Sequence, residues 1–137
     1  MWSRLSTLEV NLLNNITKTI SFFGNAPAGS NTCLVSQKIS TPYNVERINA
    51  SFALNTERKL QLSFYVSLDN DPTATNKPAG FDILGEYGQV NYLAGDDERK
   101  EVKCNALCDI SNSWLKVYAV NIDGFDHTID AQIEIII

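Results

Sequence analysis

The chain has 137 residues, of which 44% are hydrophobic and 20% are charged, with sixteen acidic residues against eleven basic ones. This length and composition suit one folded domain with one core, and they exclude a fibrous or disordered chain. The net charge of −5, without a basic cluster, argues against nucleic acid and against a membrane surface as partners. No apolar run reaches the roughly 18 residues that a membrane helix needs, and residues 1–15 lack the apolar block of a signal peptide.

The opening segment fits two patterns. Apolar residues recur at helical spacing (Leu5, Leu8, Leu12), but they also alternate as in strands (Leu8, Val10, Leu12, then Ile16, Ile20). Because β-branched residues disfavour helix, we favour strands. We expect one domain over residues 1–137, with residues 1–23 forming edge strands or an N-terminal arm.

Alternation with a period of two predicts strands along the rest of the chain. The clearest strand runs from Leu60 to Leu68 with every second side chain inward. Turn-forming residues predict a loop over 24–32 and a long polar connection, Asp69 to Gly80, that is expected to cross between sheets. Roughly eight or nine strands at such spacings predict an all-β fold, a single antiparallel β-sandwich that is jelly-roll-like.

The last two predicted strands are Trp114–Asn121 and Asp130–Ile137. In the first, Leu115, Val117 and Ala119 are expected to face inward. The chain ends on three consecutive isoleucines, Ile135, Ile136 and Ile137. Because an apolar terminus frays unless something holds it, these three are expected to lie centrally in a sheet or against another subunit, and they are interface candidates.

Three aromatic residues are candidate ligand or interface residues. Trp114 and Tyr118 share one face of their strand, and Tyr65 faces the polar side of its own strand. An exposed aromatic row stacks sugar rings or anchors a protein interface. In the other interpretation, which we favour because Trp is usually well buried, loops or a second sheet cover these rings.

No residue pattern predicts catalysis. His127 is the only histidine, lies in a predicted turn, and has no partner pattern of a triad or a phosphate-binding loop. Cys33, Cys104 and Cys108 are expected to be reduced and packed, although with His127 they form a conceivable zinc set. The acidic turns at 69–71 and 96–98 lack the spacing of a calcium loop. From all these residue patterns together, we expect no catalytic residue, metal or cofactor.

The run from Leu60 to the C-terminus carries a family resemblance. The stretch LQLSFYVSLDNDPTATNKPAGFDILGEYGQVNYLAGDDERKEV is followed by WLKVYAVNIDGFDHTIDAQIEI. In particular, the strand WLKVYAVN, the turn DGFDHT and a terminal strand resemble small β-sandwich accessory proteins of tailed-phage particles. The resemblance implies a head-decoration role in the virion after synthesis in the host cytoplasm, without catalytic residues. It also implies a capsid protein or other virion component as partner, and a homo-oligomer, with a trimer favoured.

Two functions therefore follow from the sequence. The first is a non-enzymatic virion structural or accessory protein that acts through protein–protein contacts and self-association. The alternative is a carbohydrate-binding β-sandwich module that uses an exposed aromatic platform, because such modules have similar strand–turn–strand endings.

Overall fold

A computed structural model describes residues 16–88 and 90–137 of the chain. Eight strands and one π-helical turn, Leu84–Gly88, make up the regular structure. The strands are β1 (Thr17–Ala26), β2 (Asn31–Val35), β3 (Tyr43–Phe52), β4 (Leu60–Ser67), β5 (Phe81–Asp82), β6 (Glu98–Cys108), β7 (Trp114–Asn121) and β8 (His127–Ile136).

The strands form two four-stranded antiparallel sheets. Sheet one has the order β1-β8-β3-β6 and sheet two the order β2-β7-β4-β5. The pairs β1–β8, β2–β7, β3–β6 and β4–β5 are those of one long hairpin rolled onto itself. This is a jelly roll, in which two Greek-key halves enclose one core. The predicted fold class and strand number are confirmed.

Alternation along each strand explains how the two sheets meet. In β4, Leu60, Leu62 and Phe64 are fully or almost fully buried, and in β7 Leu115 and Val117 are completely buried. Since successive strand residues point to opposite faces, each sheet presents one apolar face, and the two faces pack into one core. The predicted inward rows of both strands are confirmed.

The C-terminal strand is clamped in the middle of sheet one. β8 lies between β1 and β3, and Ile135 is fully buried while Ile136 and Ile137 are half-buried. Ile16 and Ile137 exchange both backbone hydrogen bonds, of 3.3 and 2.9 Å. Of the two predicted positions for this end, the structure shows the central one within a sheet.

Strand directions place the connections at two opposite ends of the sandwich. We call one the loop end; it carries the connections 27–30, 53–59, 83–97 and 122–126. We call the other the terminal end; it carries Ile16, Ile137 and the connections 36–42, 68–80 and 109–113.

Several predicted boundaries are wrong. The predicted loop over 24–32 is shorter, because β1 continues to Ala26 by pairing with β8 and β2 already begins at Asn31. The segment 69–80 does not cross between sheets; it joins β4 to β5, which are neighbours in sheet two. Leu68, expected in the inward row of β4, lies beyond the strand and is exposed.

The opening segment is described only in part. Residues 17–23 belong to β1, which lies at the edge of sheet one. The expected strand over Leu8, Val10 and Leu12, and the arm over residues 1–15, lie outside the described residues.

Candidate protein-contact surfaces

Two of the three candidate aromatic residues are covered. Tyr65 and Tyr118 project from the outer face of sheet two, yet only 4% and 5% of their surfaces are exposed. The connection 68–80, which we call the covering loop, lies over them. The Tyr118 hydroxyl accepts a hydrogen bond from Asn31 Nδ2 at 2.8 Å and donates to the backbone carbonyl of Ala74 in the covering loop at 3.4 Å.

An ion pair between the buried Lys116 and the partly exposed Asp69 holds the covering loop in place. Lys116 projects from the same face of β7 and is only 1% exposed. Its ammonium donates to the Asp69 carboxylate and to the Asp71 carbonyl, the latter at 2.8 Å. Removing an ammonium from water costs several kcal/mol unless acceptors replace the water, and here the covering loop supplies them. The hydrogen bond from Lys116 holds the pKa of Asp69 below its usual value.

The covering loop also lies over a thiol. Cys33 packs with Tyr65 and Tyr118, and Ala74 packs against this cluster; burial raises the pKa of the Cys33 thiol. Trp114, the first residue of β7, is half-buried. The three aromatic side chains therefore do not form an exposed row: Tyr65 and Tyr118 are covered and Trp114 is half-buried.

At the loop end, hydrogen bonds fix the connection 122–126, which we call the loop tip. Asn121 is 2% exposed, and its side-chain amide donates to the carbonyls of Ala26 and Phe125, both at 2.9 Å. The side-chain oxygen of Asn121 accepts from the backbone N–H of Asp123 at 2.9 Å. One buried amide thus joins the loop tip to the end of β1.

Asp123 extends this network to a second connection and to His127. Its backbone carbonyl accepts from Gly29 at 3.0 Å, and its carboxylate lies 2.8 Å from His127 Nε2 and 3.7 Å from Lys59 Nζ. The hydrogen bond with His127 holds the pKa of Asp123 below its usual value. The imidazole therefore serves to hold the loop tip.

The loop tip presents two large apolar side chains to solvent. Ile122 is 62% exposed and Phe125 is 74% exposed. Sequence reasoning identified the turn but did not single out either residue as a candidate contact residue. The signal that could have identified Phe125 is its position between two aspartates, in a segment without strand alternation. Hydrogen bonds to the backbone of both residues, from the Asn121 amide to the Phe125 carbonyl and from the Ile122 N–H to the Lys59 carbonyl, fix the loop that carries these side chains.

An apolar cleft lies at the terminal end, between the edge strands β5 and β6. It has a volume of about 290 Å³. Among its lining residues, Leu107 and Leu68 are 69% and 67% exposed. Gly80 borders it with φ of 131°, and a Cβ there would collide with the Val66 carbonyl oxygen, so the chain can make this close approach only with glycine. Sequence reasoning missed the cleft because its walls come from distant segments.

The candidate zinc ligands do not converge. Cys104 and Cys108 lie on β6 in sheet one, Cys33 lies on β2 in sheet two, and His127 is bound to Asp123. Within residues 16–88 and 90–137, no three His, Cys, Asp or Glu side chains are grouped so that they could hold a metal ion. The same part of the chain has no helix long and apolar enough to cross a membrane.

Comparisons with known proteins give structural similarity alone. No protein-family model matches the chain, and a search of curated proteins finds no match. A chain of the cyanophage Pam1 capsid asymmetric unit is 10% identical with a TM-score of 0.48, over 90% of this chain and 85% of the other. A chain of infectious bursal disease virus Gt strain is 10% identical with a TM-score of 0.47, over 90% of this chain and 32% of the other, so this chain spans about a third of its length.

A non-viral structure matches at the same level. The chitosan-binding module 1 derived from a chitosanase/glucanase of Paenibacillus sp. IK-5 is 10% identical with a TM-score of 0.48, over 88% of this chain and 94% of the other. Viral capsid proteins and a binding module are thus both among the solved structures that the chain resembles. At this level of identity and superposition the similarities do not assign a function.

The ion pair under the covering loop predicts a change in the reactivity of Cys33. Replacing Asp69→Asn removes the carboxylate from the buried Lys116 ammonium, so the covering loop is expected to open more often. Alkylation of Cys33 by iodoacetamide, measured by peptide mass spectrometry, should become faster. Cys104, which is half-buried in sheet one, is the internal reference. Equal acceleration at both thiols would indicate general destabilisation instead, and Asp96→Asn, in an exposed turn, should change neither rate.

Because the pKa of Asp123 is lowered in the folded chain, Asp123 is predicted to contribute to the loss of folding stability in acid. As pH falls below about 4, the unfolded chain binds a proton at Asp123 before the folded chain does, so the stability that the ionised carboxylate contributes is lost as pH falls through the folded pKa. Asp123→Asn should lower the free energy of unfolding at neutral pH and make it less steeply dependent on pH between about 5 and 2. Urea unfolding at several pH values measures this. An unchanged slope would contradict the assignment, and Asp109→Asn is the matched exposed control.

Proposed function

We propose that this chain is a non-enzymatic structural protein of a virion, and that it binds its partners, including copies of itself, through the loop tip. The observation that carries the proposal is the pair of exposed side chains, Ile122 and Phe125, on a loop that is fixed by the buried Asn121 and by Asp123. The resemblance of the segment WLKVYAVNIDGFDHT to phage accessory proteins includes this same loop.

The energetics of such a surface favour binding. Exposed aromatic side chains on a rigid backbone are the usual anchors of protein interfaces, where a few residues contribute most of the binding energy. The contact needs no loop ordering, because the hydrogen bonds of Asn121 to Ala26 and Phe125 already exist in the single chain. Symmetric assembly then strengthens weak contacts through effective concentration.

The carbohydrate alternative loses its main support. A sugar-binding platform needs exposed aromatic faces, whereas Tyr65 and Tyr118 are both covered and the Tyr118 hydroxyl is hydrogen-bonded to the covering loop. His127 is engaged with Asp123 at the base of the loop tip.

Substitution of Phe125 tests the contact surface. Size-exclusion chromatography with light scattering should show that the protein without substitutions is an oligomer, and we expect a trimer first. Phe125→Ser should shift it towards the monomer, because the central apolar anchor of the interface is lost, while the thermal midpoint of the isolated chain stays the same. Phe23→Ser is a matched control, since Phe23 is 76% exposed on the outer face of sheet one.

Four results would count against the proposal. A monomeric unchanged protein, or equal dissociation by Phe23→Ser, would remove the loop tip from the interface. Failure of antibodies against the chain to label particles of the virus that encodes it would remove the virion role. Retardation in a chitosan-containing gel, abolished by Trp114→Ala, would favour the carbohydrate module instead.

A further inference from the structure

A trough at the terminal end is separate from both the loop tip and the apolar cleft. It lies between the edge strand β1 of sheet one and the connection 36–42, which follows the edge strand β2 of sheet two. Its volume of about 630 Å³ is within the range of ligand-binding clefts. We call it the edge trough, and its lining includes Lys18, Thr19, Ile20, Ser21 and Lys38.

One wall of the edge trough is the free edge of β1. Ile16 and Ile137 exchange both backbone hydrogen bonds, and such pairs alternate with non-bonded pairs along an antiparallel ladder. Lys18 therefore belongs to the next bonded pair with β8, while the backbone groups of Thr19 and Ser21 point away from β8. This wall offers N–H donors and C=O acceptors in alternation, as an added strand requires.

Lys18 extends the inner row of β1 at the terminal end. Ile20 and Phe22 of this row pack against the core, and alternate side chains of a strand share one face. Lys18 is exposed and lines the trough. An inward-facing lysine on an edge strand opposes pairing with an apolar strand, and it favours a strand that places a carboxylate beside it.

The opposite wall carries a second lysine on a fixed connection. The backbone N–H of Ser36 donates to the Leu115 carbonyl at 2.9 Å, and Ile39 and Ser113 exchange both backbone hydrogen bonds, of 2.8 and 3.0 Å. Lys38 lies between these two anchored residues and lines the trough. The backbone that presents Lys38 is therefore in place before a ligand binds.

The charges on the walls are unbalanced. Lys18 and Lys38 line the edge trough, and no aspartate or glutamate does among the described residues. Within residues 16–88 and 90–137, neither lysine forms an ion pair. The negative group that these walls do hold is the carboxylate of Ile137, the last residue of the sequence. In a chain of net charge −5, two cations against one carboxylate make a local site for an anionic group.

We propose that the edge trough binds an extended acidic segment of a partner protein. The segment adds antiparallel to β1 as a fifth strand of sheet one, pairs with Thr19 and Ser21, and places a carboxylate between Lys18 and Lys38. Its next side chain on the same face, two residues away, lies beside Ile20 and is apolar. The occupant is a peptide and not a nucleic acid or a lipid surface, because phosphate groups would satisfy the donors of the free edge and leave its acceptors unpaired.

Titration of the full chain with the peptide acetyl-Thr-Val-Thr-Glu-Thr-Val-Thr-amide, followed by two-dimensional proton–nitrogen NMR, tests this. With the glutamate beside Lys18, the amide signals of Thr19 and Ser21 should shift. Replacing the glutamate by glutamine, or Lys18→Gln/Lys38→Gln in the chain, should raise the dissociation constant at least about threefold. Lys77→Gln/Lys103→Gln removes two exposed lysines outside the trough and should leave the constant unchanged.

Methylation of peptide nitrogens separates strand pairing from attraction between charges. In the antiparallel arrangement, the N–H groups of the two threonines next to the glutamate point towards β1, and those of the two valines point away. Methylating these threonine nitrogens should abolish the shifts. Methylating the valine nitrogens should leave the dissociation constant unchanged.

The outcomes separate the alternatives. The proposal is overturned by absent shifts at Thr19 and Ser21, by equal weakening from both lysine pairs, or by binding that survives threonine methylation. A change in the molar mass of Lys18→Gln/Lys38→Gln without peptide would assign the edge trough to a contact between copies of this chain, and it also overturns the proposal. Phe125→Ser should bind the peptide as the chain without substitutions does, so failure here and failure of the proposed function are distinguishable.

Discussion

The central constraint in this structure is that both sheets must hide one apolar face each, and that β8 lies in the middle of sheet one. Ile129, Ile133 and Ile135 of this strand are completely buried, and its two edges are paired with β1 and β3. Because β8 is the last strand and β1 the first described one, their pairing brings Ile16 beside Ile137, and the two residues exchange both backbone hydrogen bonds. The inner face of sheet two packs against that of sheet one in a single core.

Buried polar groups hold a loop at each end of the sandwich. In sheet two the outer face receives the covering loop, and Lys116 replaces its lost water with the Asp69 carboxylate and the Asp71 carbonyl. At the loop end, Asn121 and Asp123 supply hydrogen bonds to backbone groups of neighbouring connections. A buried polar group without partners is costly, so both networks specify one position for the loops that they hold.

Period-two alternation was enough to predict the two-sheet fold and the inward rows, because it assigns each side chain to one face of a strand. Leu115 and Val117 are buried as that pattern requires. The pattern says nothing about what lies over the other face, which is why it left open whether Tyr118 is covered. The same limit applied to residues 69–80: their polar composition identified a loop, but only the pairing of β4 with β5 determines which strands it joins.

The candidate surfaces were harder to predict for a related physical reason. The apolar cleft exists because Leu68, Phe81 and Leu107 come from three segments that only the rolled topology brings together. Phe125 is adjacent to no predicted core residue. Its backbone is held by the Asn121 side chain, and nothing in the sequence alone distinguishes Asn121 from any other residue at the end of a strand. A jelly roll places consecutive connections alternately at its two ends, so these surfaces face in opposite directions. A contact at one end therefore leaves the other end sterically free.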